Sequence, residues 1–202
     1  MSISGTSIFK RQLNGKAMTR IGITGAGGLI GKALSSTLQN DGHTVFRFVR
    51  RAAQSETEIR WHPSQGALDP SAIAHLDAIV HLAGEPILGR WTETKKKRIL
   101  ESRVQGTQNI AHAIARSQHP CTLVSASAIG IYGSSLTATF TETDPVGSGF
   151  LANVCAQWEA STSSADEAGH RVVIPRIGLI LSPDGGALKQ MLLPFKAGLG
   201  GV

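Results

Sequence analysis

Apolar residues along this chain gather in short blocks, and amphipathic stretches of helical length separate them. The first block, Arg20–Thr24, runs straight into a glycine-rich turn. A helix is predicted from about Leu29 to Asn40; Asp41-Gly42 ends it, because glycine accepts the left-handed conformation just past a helix. Thr44–Val49 is β-branched and aromatic and predicts a second strand. Ile59–Trp61 predicts a short third. Ala78–Leu82 is apolar without polar alternation, the pattern of a strand covered on both faces. A long helix follows from about Thr92 to Ser117, with Ile99, Ile110 and Ile114 as its apolar positions. Beyond it come a strand at Thr122–Ser127, a helix at Leu151–Gly169, a strand at Arg171–Ile174 and a last helix at Gly186–Gly198. Pro175 cannot donate to a strand ladder, so the strand before it ends or kinks there. Strands alternating with helices predict an α/β fold, a doubly wound parallel sheet with helices on both faces.

Composition narrows this further. The chain has 202 residues, 41% of them hydrophobic, with mean hydropathy +0.01. That suits one globular domain, since domains typically run to ~100–200 residues. No apolar run approaches the ~20 residues of a membrane span; the longest, Val172–Leu181, is broken by Pro175 and Arg176. Cys121 and Cys155 stand apart and form no CxxC pair, which points to a reducing compartment and against a thiol metal cluster. The seven histidines show no ligand spacing, so no metal site is expected. Of the net charge of +6, Lys10, Arg11, Lys16 and Arg20 supply +4 with no acid among them. The remainder is nearly balanced, so no nucleic-acid partner is expected, and no membrane partner either. The pattern assigns no oligomeric state. Residues 1–18 read as a disordered extension before a domain at 19–202, with Met18 as an alternative start. The expected location is the cytoplasm. Organelle targeting is the alternative, because the first residues are basic, contain serine and lack acids.

The turn after the first strand carries the chemistry. Gly25, Gly28 and Gly31 have GxxGxxG spacing between a strand and a helix. Gly25 makes the tight turn, Gly28 lets backbone approach a pyrophosphate, and Gly31 lets the helix pack close to the strand. Leu29 and Ile30 open the helix, whose free N–H groups and positive dipole end favour phosphate. This is a dinucleotide fold of Rossmann type. An NAD site usually carries an acid at the end of its second strand, to bond the ribose 2′-hydroxyl. Here Val49-Arg50-Arg51 stands there instead, and two guanidinium groups suit a 2′-phosphate. The expected cofactor is NADP(H).

The run Thr24 to Gly31 resembles the extended branch of the short-chain dehydrogenase/reductases. So do His81-Leu82-Ala83-Gly84, Arg90-Trp91-Thr92, Ser102-Arg103, Trp158-Glu159, Arg176-Ile177-Gly178, Pro183-Asp184-Gly185-Gly186 and Gly198-Leu199-Gly200-Gly201. Their order is similar to an atypical epimerase-like subfamily. The resemblance implies that Leu82, Ala83 and Gly84 line the adenosine side of the cofactor. It implies an oxidoreductase or epimerase-like protein acting on a small carbonyl, alcohol or sugar-nucleotide substrate. It also implies that this chain is a shortened form, lacking a C-terminal substrate domain.

The family's usual catalytic set is Asn, Ser, Tyr and Lys, the last two spaced YxxxK. This chain departs from it. Its one tyrosine is Tyr132, and the residue four on is Leu136. The Tyr and Lys slots fall on Leu151 and Cys155, or on Phe150 and Val154. The Asn slot falls on Arg103, and the Ser slot on Ser127 or Ser125. Three readings follow. Hydride transfer continues with Tyr132, Cys155 or Glu159 as acid, Ser127 in place and Arg103 as a fixed cation that polarises a carbonyl or, as a cofactor-binding residue, faces cofactor phosphate or an acid. Or NADPH is bound without turnover, in a regulatory or sensor module. Or the chain is a cut or decayed fragment.

Overall fold

The computed structural model describes residues 18–196 and 198. The basic stretch at 1–17, expected as an extension, and residues 199–201 of the C-terminal glycine motif lie outside the described residues.

The first elements form where local chemistry placed them: β1 at Arg20–Thr24, α1 at Leu29–Asn40 and β2 at Thr44–Val49. Then come β3 at Glu58–Arg60, β4 at Ala78–His81, α2 at Glu93–Ala115 and β5 at Thr122–Ser125. Thr92 caps α2, its hydroxyl accepting from the Lys95 N–H at 3.2 Å. After β6 at Ser127–Ala128 follow α3 at Phe150–Ala160, α4 at Ser163–Glu167, β7 at Val172–Val173, β8 at Arg176–Ile177, β9 at Leu181–Ser182 and α5 at Gly186–Lys196. The main sheet has six parallel strands in the order β3-β2-β1-β4-β5-β7. The strand order reverses between β1 and β4, so their C-terminal ends open the crevice where such folds hold ligands.

Both faces are covered, as expected. One carries Phe48, Ile79 and Leu123 of the strands against Ile110 and Ile114 of α2 and Ala165 of α4. On the other, Ile21, Ile23 and Val45 pack with Leu34 and Leu38 of α1.

Beyond shifts of one or two residues at element ends, two elements depart from the sequence reading. The strand expected at Thr122–Ser127 divides: the Ala126 N–H still reaches the His81 carbonyl at 3.0 Å, but the Ser127 N–H turns to the Pro175 carbonyl at 2.9 Å. β7 stops before Pro175, and β8 then leaves the main sheet to pair with β6 in a second, two-stranded sheet. The helix expected at Leu151–Gly169 is broken in two. The Ser161 hydroxyl bonds back to the Gln157 carbonyl at 2.6 Å and the Thr162 hydroxyl to the Glu159 carbonyl at 2.8 Å, and such local bonds compete with helix continuation. Among the described residues no helix is long and apolar enough to cross a membrane.

Candidate functional site

The glycine turn sits at the switch in strand order. Gly25 has φ +67°, and a Cβ there would stand 3.0 Å from the Ala83 nitrogen and the Leu82 carbonyl carbon. Gly31 is buried, and a Cβ there would run into the Gly25 carbonyl oxygen and lie 2.7 Å from Ala26 Cα, so at this residue the helix packs on the turn itself. Gly28 is the N-cap of α1, with no side-chain capping bond and no acid in the first turn. The first N–H groups of a helix have no partner within it. Here they open on a cleft of about 540 Å³, lined by Gly25 to Gly28, Phe48, Arg50 and Leu82 to Glu85. Leu29 is half-buried, while Ile30 is exposed.

The far wall is held by a buried pair. Thr24 Oγ1 accepts from the N–H groups of Leu82 and Ala83, at 3.0 and 3.1 Å, and lies 2.7 Å from His81 Nδ1. A hydroxyl has one hydrogen, so Thr24 donates it to Nδ1 and the neutral ring keeps its proton on Nε2. Burial, aided by the nearby Arg103 charge, pushes the His81 imidazole down to about 4. Glu85 continues this wall. Its N–H donates to Ser102 Oγ at 3.0 Å, its carbonyl accepts from Arg103 Nη1 at 3.0 Å, and its carboxylate meets Lys95 Nζ at 2.6 Å. Lys95 of α2 thereby braces the wall.

The predicted 2′-phosphate readers separate. Val49 is half-buried at the end of β2. Arg50 lines the cleft and has no hydrogen-bond partner among the described residues. Arg51 lines a second recess of about 350 Å³ that shares Ala26, Gly27 and Phe48 with the cleft. There its Nη1 and Nη2 donate to Glu58 at 2.8 and 2.6 Å. Sequence reading missed Glu58, a single acid in a three-residue strand.

The catalytic candidates form two groups, and none lines the cleft. Ser127 is buried, and its hydroxyl donates to Glu159 Oε1 at 2.6 Å. Arg176 donates to both oxygens of Glu159, each at 2.9 Å, and through Nη1 to Tyr132 Oη at 2.6 Å. The guanidinium also stacks on the tyrosine ring, 5.1 Å from its centre. Because Arg176 only donates, the phenol oxygen accepts and its own hydrogen stays free for a ligand. Burial alone would push the Glu159 carboxyl up, but the bonds from Arg176 and Ser127 and the Arg176 charge hold it below the usual carboxylate range. Glu159 thus stays ionised and keeps the Ser127 hydrogen. The partnership between Glu159 and Arg176 had no local signal, since 17 residues separate them and only the β6–β8 pairing closes the gap.

Arg103 stands apart from this group. Its Nη1 donates to the carbonyls of Glu85 and Ile99 at 3.0 and 3.1 Å, and the guanidinium lies 5.0 Å from the Trp158 ring centre. Among the described residues it has no carboxylate partner. Cys155 is a free, buried thiol whose pKa burial raises, although the nearby Arg103 charge acts the other way.

A family model described as the NAD dependent epimerase/dehydratase family matches residues 21–197. The chain belongs to this family. Within the NAD dependent epimerase/dehydratase family it is similar to an epimerase family protein of Mycobacterium tuberculosis, 41% identical over 181 residues. That match covers 89% of this chain and 60% of the relative, so the chain spans about three-fifths of the length of the curated relatives it matches. Among solved structures it resembles the nucleoside-diphosphate sugar epimerase from Corynebacterium glutamicum, with TM-score 0.78 and 36% identity, over 92% of this chain and 39% of that one. It also resembles human epimerase family protein SDR39U1 with NADPH, with TM-score 0.74 and 37% identity, over 90% of this chain and 61% of that one. These members support the resemblance read from the motifs, to epimerase-like extended short-chain dehydrogenase/reductases.

Proposed function

We propose that the chain binds NADP(H) in the cleft at the strand switch and belongs to an oxidoreductase or epimerase acting on a small carbonyl, alcohol or sugar-nucleotide substrate. The observation that carries this reading is the uncapped N-terminus of α1, opening with Gly27 and Gly28 on a cleft that also holds the unpaired Arg50. The residues fit the group. Gly27 has nothing within 4 Å of where a Cβ would stand, leaving room for a phosphate against the backbone. In this reading Gly25, Gly28, Leu29, Ile30 and Gly31 hold the pyrophosphate, Val49 and Arg50 stand at the 2′-phosphate, and Leu82, Ala83 and Gly84 line the adenosine side. When bound, the cofactor supplies or accepts a hydride. The human relative solved with NADPH supports the 2′-phosphate form. The sugar-nucleotide option is supported by the Corynebacterium structure, and the substrate range is part of the proposal because the chain spans only part of its relatives. We place residues 19–202 in one NAD(P)-binding domain and the protein in the cytoplasm.

The proton work in this reading falls to Tyr132, with Arg176 as its neighbouring cation. Arg176 holds the phenol oxygen and leaves its hydrogen free to move to or from a ligand oxygen. Ser127 carries no free hydrogen while it donates to Glu159, so it orients the carboxylate or accepts from a hydroxyl ligand. Arg103 offers a fixed positive charge beside the cleft wall.

Calorimetric titration with NADPH and NADH tests the binding. Arg50→Ala is expected to weaken NADPH by about tenfold, the worth of a charged hydrogen bond, and to leave NADH unchanged. If Arg50→Ala weakens both equally, the 2′-phosphate assignment fails. Cofactor oxidation over a panel of carbonyls tests turnover. Tyr132→Phe is expected to lose about a hundredfold in kcat at unchanged NADPH affinity. The second reading, a regulatory module that binds NADPH without turnover, is favoured by the commitment of Ser127 to Glu159. Tight NADPH binding with no oxidation of cofactor by any carbonyl would select it.

A further inference from the structure

Glu58 enters the cofactor corner from an unexpected side. Parallel pairing of β3 with β2 sets Glu58 against Arg47, next to the end of β2 where Arg50 and Arg51 emerge. One Glu58 oxygen takes Arg51 Nη2; the other takes Arg51 Nη1 and the Gln54 N–H at 2.8 Å. Arg51 Nη1 is shared further with the Ala52 carbonyl at 2.9 Å. Nη1 therefore spends both of its hydrogens and Nη2 one, which orients the guanidinium toward Glu58. The bond from Arg51, helped by the Gln54 N–H and the Arg51 and Arg47 charges, holds the Glu58 carboxyl at about 2, so it is ionised at any working pH. The recess that contains this pair is also lined by Ala26 and Gly27 of the phosphate turn.

We propose that Glu58 sets the cofactor preference of this corner, by holding Arg51 away from a 2′-phosphate and by offering a carboxylate to a 2′-hydroxyl. The inference rests on the dinucleotide reading above. A phosphate entering the recess meets a fixed negative charge and finds one guanidinium already bonded. A ribose hydroxyl meets an acceptor, the arrangement that NAD sites use. Both effects act in one direction on the ratio of affinities. Arg50, free and facing the cleft, leaves NADPH favoured, but only moderately.

The test is titration of NADPH and NADH into the full chain, its Glu58→Gln variant, and Glu58→Gln combined with Arg51→Ala. Taking both cofactors on one preparation cancels any unfolded fraction from the ratio. Glu58→Gln is expected to raise the preference for NADPH by about fivefold, the upper worth of an exposed ion pair. Arg51→Ala in that background is expected to remove the gain. An unchanged or lowered preference in Glu58→Gln, with cofactor still bound, overturns the assignment of Glu58 alone, and a lowered one makes Glu58 a support for Arg51. Failure of the unsubstituted chain to bind either cofactor overturns the dinucleotide reading and this inference with it.

Discussion

Gly31→Ala is expected to cost about 3 kcal/mol of stability and to lower NADPH affinity about a hundredfold. Helix propensity argues the reverse, since alanine in a helix interior is better than glycine by ~1 kcal/mol. Gly31 also has ordinary helical φ, so no conformational strain opposes the change. Packing decides the sign. A Cβ at Gly31 would overlap the Gly25 carbonyl oxygen and stand 2.7 and 3.0 Å from Ala26 Cα and C. These are backbone atoms of the tight turn, without a rotamer to yield. The turn must move off the helix, and with it the amides that open on the cleft. Stability and cofactor binding should therefore fall together. Gly27→Ala is the contrast, because nothing lies within 4 Å of its Cβ and its φ is not positive. Its stability should stay within about 0.5 kcal/mol of the parent. Denaturant unfolding and NADPH titration on both variants check this, and a Gly31→Ala chain as stable as the parent would refute the packing argument.

What could be read in advance follows the range of the forces involved. β1, α1 and β2 fall on their predicted bounds because the turn, the helix stop at Asp41-Gly42 and the β-branched run are each local signals. The glycine turn was legible for the same reason. The two arginines after β2 were legible as charge but not as direction. Both lie past the end of β2, in a bend, where no strand alternation sets direction: one guanidinium lines the cleft and the next meets Glu58. Glu58 acts across a strand pairing, and Glu159 with Arg176 across the junction of two sheets. Neither pairing leaves a spacing to recognise. The missing YxxxK was visible at once; the meeting of Tyr132 with Arg176 needed β8 to leave the main sheet, and Pro175 was the one local hint of that departure.

Lowering the pH from about 6.5 to about 4 is expected to remove about 3 kcal/mol of stability through His81 alone. The imidazole is wholly buried, with Thr24 on Nδ1, the Trp61 ring 5.9 Å away and the Arg103 charge nearby. Burial is the larger cause of its depressed pKa, and Arg103 adds to it. Above pH 6.5 both folded and unfolded chains carry a neutral His81, and its contribution is complete. As the pH falls through this window the unfolded chain takes up a proton that the folded chain refuses, so stability declines. Below about 4 both are protonated and the loss levels off. His75 is also depressed, by burial and by Arg20, and acts in the same direction. The lowered carboxylates Glu58, Asp77 and Glu159 act later, because their unfolded values are 4.5, 3.8 and 4.5. His81→Asn separates these contributions, since an amide oxygen can still accept from Thr24 and cannot titrate. Denaturant midpoints measured between pH 7 and 4.5 should fall less steeply in that variant, whatever the cost of its smaller side chain at neutral pH. The same proton disturbs the site. A charged imidazole carries hydrogen on Nδ1, so the Thr24 hydroxyl must accept there while it already accepts from Leu82 and Ala83. The cleft wall then loses an anchor, and NADPH affinity should decline only as the pH approaches about 4, where the folded imidazole takes up its proton, in the parent but not in His81→Asn. Parallel slopes in the two chains would mean that the imidazole keeps an ordinary pKa and that the wall does not depend on it.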